Sequence, residues 1–288
     1  MKSPLHKEII RTLCALIYFV LMAMVMVTVQ VRNDNISILT RVTHQSSLPD
    51  LMLDSRHRLS MPEQMPDWAL FSFILVSFVS HLVLVEPRGK IMLTLRRFFW
   101  LLGTCYGLRA LSLAGTVLPP SNPLCTYKKR DGWELMMAGP QLLIGAVHTC
   151  SDKIFSGHTI VATLLSCFWW NLSSHWGVRT YPIVHEVVMI ICSLSGRHHY
   201  TVDIVIALIV AVTVFHLYHL LVRIVCVAEL HDRGPYLPLH RAVAAFNDSD
   251  NDVKIPSLFT KYPARVIRLT IKYMDGIDLR NSTDLLVL

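Results

Sequence analysis

The sequence predicts an all-α polytopic membrane protein with six transmembrane helices. Three observations carry this expectation. Of the 288 residues, 53% are hydrophobic and only 16% charged, with a mean hydropathy of +0.46. Soluble domains carry about 25% charged residues. The apolar residues also gather into long runs separated by polar gaps, as spans do. The Lys and Arg residues sit mostly beside those runs, as the positive-inside rule expects.

A span needs roughly 20 apolar residues. Six runs meet or approach that length: about 9–31, 68–85, 98–118, 157–175, 180–196 and 200–227. The first is too long for the apolar core of a cleaved signal peptide and reads as a retained span. The fifth is the shortest and contains His185 and Glu186, which fall toward its cytosolic end and read as structural or interfacial. A further apolar run, Trp133 to His148, is interrupted by Gly139, Pro140 and Gly145, so it reads as an interfacial or re-entrant helix. Trp169, Trp170 and Tyr218 fit interfacial aromatic belts. Residues 1–228 thus form the transmembrane domain, and 229–288 a more polar cytosolic tail. That tail holds an acidic stretch, Asp248 to Asp252, and a basic amphipathic stretch, Lys261 to Lys272. The amphipathic stretch fits either a membrane surface or a solvated tail.

Orientation follows from loop charge. The link between the second and third spans holds Arg88, Lys90, Arg96 and Arg97 against one acid, Glu86, and should be cytosolic. Both termini are then cytosolic. The 32–67, 119–156 and 197–199 connections face the lumen or exterior. Of four N-x-S/T sequons, at Asn35, Asn171, Asn247 and Asn281, only Asn35 falls on that side.

The net charge of +7 has no aromatic-interleaved basic stripe behind it, so nucleic-acid binding is excluded as a class. None of the seven cysteines forms a C-x-x-C pair, which disfavours a zinc site. Most lie in apolar runs as small hydrophobes. Cys125 and Cys150 share one polar segment, and can pair if that segment faces an oxidising compartment.

Two segments near lumenal span ends carry the chemistry. Cys150 to Thr159 reads C-S-D-K-I-F-S-G-H-T, and Arg197 to Asp203 reads R-H-H-Y-T-V-D. His199 and Asp203 are four residues apart at a helix start, so both share one helical face. A carboxylate beside an imidazole fixes its tautomer, as in a base-plus-orienter pair. Near the membrane boundary a paired, functional carboxylate is the default. In the other segment, Ser156 and Gly157 let a phosphate approach a helix N-terminus. His158 can then protonate a departing alkoxide. This chemistry needs neither a metal nor an organic cofactor. A lone His at such a boundary is ordinarily only a polar interfacial group; it is the two motifs together that point to catalysis.

These residues resemble the sphingomyelin synthase family. Cys150 to Thr159 is similar to the family's C-G-D-x-x-[FY]-S-G-H-T motif, and His199 to Ala207, H-Y-T-V-D-I-V-I-A, to its H-Y-[TS]-x-D-V-x-x-A motif. Arg109 to Pro120 resembles R-x-x-x-[ML]-x-x-T-x-L-P-x-P, Ser47 to Asp50 resembles P-L-P-D, and Gly132 to Glu134 resembles a D-W-E stretch. Ser151 stands where the family has Gly, and Ser47 where it has Pro.

The resemblance implies six spans and a lumenal or exoplasmic active site in the Golgi or plasma membrane. It implies transfer of a phospho-head group from a glycerophospholipid to ceramide, releasing diacylglycerol. The catalytic residues would be His158, His199 and Asp203, with Arg109, Asp152, Ser156, Gly157, Arg197, Tyr200 and Glu134 binding substrate. His199 would attack phosphorus and form a phosphohistidine, while His158 moves protons to and from the lipid oxygens. Phosphocholine, phosphoethanolamine and phosphoinositol all remain open as head groups, and a homo-oligomer is compatible with the sequence.

Two other classes compete. A lipid phosphate phosphatase, or phospholipase C-like hydrolase, uses the same two His motifs with water as acceptor. Its upstream K-x6-R-P element is imperfect here, since Phe98 follows Arg97 where Pro is needed. A channel or scaffold would have no use for His158, His199 and Asp203 together.

Overall fold

The computed structural model describes residues 5–40, 47–50, 62, 64–84, 88–122, 125–130, 132–134, 137, 149–150, 154–170, 176–232 and 262–277. Among these residues the structure is all-α. Its helices are α1 (Leu5–Leu39), α2 (Met65–Leu84), α3 (Arg88–Gly115), α4 (Gly157–Trp170), α5 (Trp176–Ser195), α6 (Thr201–Asp232) and α7 (Tyr262–Asp275). The expected re-entrant helix over 133–148 lies mostly outside the described residues.

Among the described residues, four stretches are long and apolar enough to cross a membrane: His6–Leu39, Met65–Val83, Trp176–Ser195 and Thr201–Glu229. The remaining two expected spans do not qualify, for two different reasons. Helix α3 is long enough but carries Arg96, Arg97 and Arg109. Arg96 and Arg109 are both buried, so these charges turn toward protein. Helix α4 has 14 residues, about 21 Å at 1.5 Å per residue, against a hydrocarbon core of about 30 Å. The outer surfaces of the spans are apolar. Phe71, Leu75, Val79 and Val83 repeat along the exposed side of α2, while Phe73 and Ser77 are buried. This is the polarity expected of helices solvated by lipid.

The chain divides into two compact units. Residues 14–215 form one, and residues 1–13 with 216–288 form the other. In the larger unit, Met26, Val27 and Val31 of α1 pack on Ala110 and Leu113 of α3. The ring of Tyr18 lies where any side chain at Gly103 would be, so α1 and α3 approach closely. A second cluster joins Phe73 of α2, Ala162 and Trp169 of α4, and Met189 of α5. Trp169 is therefore buried against Phe73 and Tyr181 instead of lying in an aromatic belt.

His185 stacks on Phe73 with centroids 4.7 Å apart. Its Nε2 lies 2.9 Å from the Ala69 carbonyl and its Nδ1 3.2 Å from the Tyr181 hydroxyl, tying α5 to the first turns of α2. Glu186, buried in the same span, accepts hydrogen bonds from the Thr163 and Ser166 hydroxyls of α4. Both residues are thus helix-packing elements.

The far end of α1 is polar and buried. Asn33 donates to the Leu113 carbonyl at 2.7 Å. Asn35 exchanges two hydrogen bonds with the backbone of Arg130, at 2.7 and 3.0 Å, so the amide of this sequon is taken up by packing. Asp34 accepts from the Cys150 N–H at 3.2 Å and lies 3.7 Å from the Arg130 guanidinium. Cys125 and Cys150 are joined by a disulfide with their Cα atoms 5.8 Å apart. In the smaller unit, Glu229 of α6 holds Arg268 and Lys272 of α7 at 2.8 and 2.7 Å. Tyr218 is buried and donates to Asp275 of α7 at 3.2 Å, so it too is a packing residue.

The disulfide closes a 25-residue separation, which corresponds to about 3.5 kcal/mol of unfolded-state entropy. Replacing Cys125 and Cys150 by Ser should lower the thermal midpoint in detergent. Reductant should lower the unmodified protein to the same midpoint and leave the double variant unchanged.

Candidate functional site

The site begins where α6 begins. The first backbone N–H groups of a helix have no partner within it. Here two carboxylates supply partners. Asp203 Oδ2 accepts the Tyr200 N–H at 2.9 Å, a capping arrangement within α6 itself. Asp50, from the S-L-P-D segment, accepts the Thr201 N–H and the Thr201 hydroxyl, both at 2.7 Å. The Tyr200 hydroxyl accepts the Leu48 N–H at 3.1 Å and lies 3.2 Å from the Pro119 and Pro120 carbonyls. Burial pushes this phenol above its usual range, which keeps it a neutral O–H donor. Three separate chain segments therefore meet at the α6 N-terminus. Tyr200, expected to bind substrate, is 2% exposed and acts as a brace.

The cap fixes His199 immediately before it. His199 is buried, and its Nδ1 lies 3.6 Å from Asp203 Oδ2. That is slightly beyond hydrogen-bond reach, and the same oxygen accepts the Tyr200 N–H. The geometry directs Nδ1 toward the carboxylate.

His158 sits in the first turn of α4, whose N-cap is Ser156. The Ser156 hydroxyl accepts the Thr159 N–H at 3.3 Å. Ser156 is fully buried, and its own N–H donates to the Asp203 carbonyl at 3.3 Å, linking the two motifs directly. The rings of His158 and His199 are 6.5 Å apart, centroid to centroid. His158 has a carboxylate of its own: Asp67 Oδ1, from the first turn of α2, is 2.7 Å from Nε2. The side chain of His158 is 23% exposed and that of Asp67 52%.

Sequence reasoning missed Asp67 and the role of Asp50. Asp67 lies 91 residues from His158, and no local spacing announces the pair. Asp50 stood in a quoted motif, but its function needed the fold.

The Arg109 guanidinium of α3 lies directly over Gly157. An added Cβ there would overlap Nη1. Arg109 is 4% exposed, so a cation is held at the N-terminus of α4, beside His158. A helix N-terminus and an Arg together favour an anion such as phosphate.

Both motif entries are strained. Phe155 has φ 66° and Arg197 φ 55°. Arg197 ends α5 in a Schellman turn, with His198 N–H to the Ser193 carbonyl at 3.0 Å and Arg197 N–H to the Leu194 carbonyl at 3.1 Å. Glycine normally takes that position; here an Arg does, and Gly196 precedes it. The Arg197 carbonyl is fixed by the Ser121 hydroxyl at 2.6 Å. Left-handed non-glycine residues cost of order 1–3 kcal/mol and gather at functional sites. Glu134 is exposed, and Asp152 lies outside the described residues.

Residues 149–220 match the PAP2 superfamily C-terminal family model. The chain is 30% identical over 190 residues to sphingomyelin synthase-related protein 1 of Mus musculus, covering 60% of this chain and 38% of that protein. It is 33% identical over 143 residues to phosphatidylcholine:ceramide cholinephosphotransferase 1 of Homo sapiens, covering 43% of this chain and 33% of that one. It is also 33% identical over 124 residues to phosphatidylcholine:ceramide cholinephosphotransferase 2 of Rattus norvegicus, covering 39% and 34%. The chain thus spans well under half the length of these relatives.

Gly157→Ala should displace Arg109 while leaving the helices intact. Unchanged circular dichroism with a loss of turnover of about tenfold or more is the expected outcome, since an electrostatic donor at such a site is worth about 2–4 kcal/mol.

Proposed function

We propose that this chain is a member of the sphingomyelin synthase family, a reading its similarity to those relatives supports, and that it transfers a phospho-head group from a glycerophospholipid to ceramide. The observation that supports this most directly is the pairing of His158 and His199. They sit on two helix starts with rings 6.5 Å apart, each beside a carboxylate from a defined position. That separation leaves room for a phosphoryl group between them.

The reaction divides into two displacements. Asp203 turns Nδ1 of His199 inward, so Nε2 attacks the donor phosphorus. The N–P bond forms as the P–O bond to diacylglycerol breaks, and His158 gives its proton to the departing glyceryl oxygen. Ceramide then enters. Its primary hydroxyl passes a proton to His158 while its oxygen attacks phosphorus, and the N–P bond breaks. His158 ends protonated and His199 free, as they began. Arg109, with Arg197 at the other motif, neutralises the equatorial phosphoryl oxygens. Asp67 holds the His158 ring through Nε2, which leaves Nδ1 for proton exchange.

In this reading α3 and α4 complete a bundle of six spans, and the site faces the lumen or exterior, with the termini in the cytosol. The Cys125–Cys150 disulfide supports placing the site on the oxidising side. Residence in the Golgi or plasma membrane fits that placement. The head group is phosphocholine, phosphoethanolamine or phosphoinositol. One observation favours a second reading: the exposure of His158 and Asp67 opens the site to water, which suits hydrolysis of the same phosphohistidine.

The test uses purified protein in liposomes with fluorescent ceramide and each donor phospholipid offered separately. A new phosphosphingolipid from one donor is the expected product, and it names the head group. Free phospho-alcohol without a ceramide product would replace transferase by hydrolase. His199→Ala should lose all turnover at normal expression. Asp67→Asn should lower kcat by at least about tenfold with little change in KM, since general acid–base catalysis contributes roughly 100-fold or more. An unchanged kcat would remove Asp67 from the machinery.

A further inference from the structure

We propose that α7 is an interfacial membrane helix, its exposed side resting on lipid at the bilayer face where α1 begins. The inference goes beyond the transfer reaction and rests only on α1 and α6 spanning the membrane. It starts from an inverted polarity. Amphipathic helices packed on a protein in water bury their apolar side and show their charges. In α7, Arg268 and Lys272 instead turn inward onto the buried carboxylate of Glu229. The outward side carries Val266, Ile267, Leu269 and Tyr273, each between 46% and 56% exposed. Four such side chains on a helix of 14 residues form an apolar stripe that water would not favour.

Depth supplies the second argument. The Arg11 guanidinium lies over the Tyr273 ring, 4.7 Å from its centroid. Arg11 stands near the start of the apolar run of α1, where that span enters the interface. Tyrosine and arginine are the side chains that favour this level. At the same end of α7, Asp275 is held by Tyr218, within the apolar stretch of α6. In this unit α1 also turns Ile10 and Leu13 outward, and α6 turns Leu217 and Leu220 outward, as lipid-facing residues of a span do. The stripe on α7 has the same apolar character. A basic amphipathic helix usually offers its cations to lipid phosphates; here the cations dock the helix, and the apolar side meets the bilayer.

The experiment uses the full chain in phosphatidylcholine vesicles, in a Cys14→Ala, Cys167→Ala background. A nitroxide is placed at Leu269→Cys and, independently, at Val266→Cys and Thr270→Cys. Lys128→Cys, on an exposed loop residue, serves as the aqueous reference. Collision rates with oxygen and with a water-soluble nickel chelate are compared. Oxygen should exceed nickel several-fold at all three α7 positions and the ratio should reverse at Lys128. Nickel collisions on α7 equal to those at Lys128 would overturn the proposal in favour of a water-exposed helix. Exclusion of both reagents with spin–spin broadening would overturn it in favour of a second copy of the chain.

Discussion

The first turn of α6 is the constraint on which the rest of the site depends. A helix that starts at a membrane boundary has N–H groups that lipid cannot satisfy, so protein acceptors must. Asp203 meets this need from within the helix and Asp50 from the S-L-P-D segment. A cap of this kind contributes about 1 kcal/mol. Its larger consequence is geometric. Tyr200, immediately inside the cap, anchors Leu48 and the Pro119–Pro120 turn, and the Asp203 carbonyl holds Ser156 at the start of α4. His199 is placed by the same residue that caps the helix, so folding of α6 and orientation of the imidazole are one event.

From that anchor the two histidines acquire different surroundings. His199 is buried beside a buried carboxylate, while His158 is partly exposed beside a half-exposed one. In the proposed reaction, the buried ring is the one that keeps a single tautomer and bonds to phosphorus. The accessible ring suits the group that trades protons with two successive lipids. Arg109 crosses from α3 to cover Gly157, and only a residue without a side chain permits that approach. The positive φ values at Phe155 and Arg197 show where the chain is bent to bring both motifs together. Strain at these two positions is held by the Schellman turn of α5 and by the cap on α4.

Much of this was legible in the residues. Long apolar runs located α1, α2, α5 and α6, because lipid demands continuous hydrophobicity over a fixed length. The spacing of His199 and Asp203 disclosed an imidazole beside a carboxylate, although His199 lies just before α6 and not on it, and two cysteines in one polar segment disclosed a bridge. Other features were not legible, for physical reasons. Asp67 reaches His158 because α2 packs against α4 and α5, contacts between distant segments. The packing contacts of Tyr200 and Ser156 join segments far apart in the sequence, so their place within the motifs did not disclose them. Trp169 and Tyr218 looked like belt residues by composition, but helix packing takes both inside.

The central claim is that His199 bonds to phosphorus while Asp203 and the α6 cap hold it in place. The most direct measurement offers the protein a glycerophospholipid with a radiolabelled phosphate and omits ceramide. The quenched protein is then digested and the labelled peptide mapped. An acid-labile label on His199, discharged into a phosphosphingolipid when ceramide is added, is the expected result. A label on another residue, or full turnover with no label at all, would contradict it.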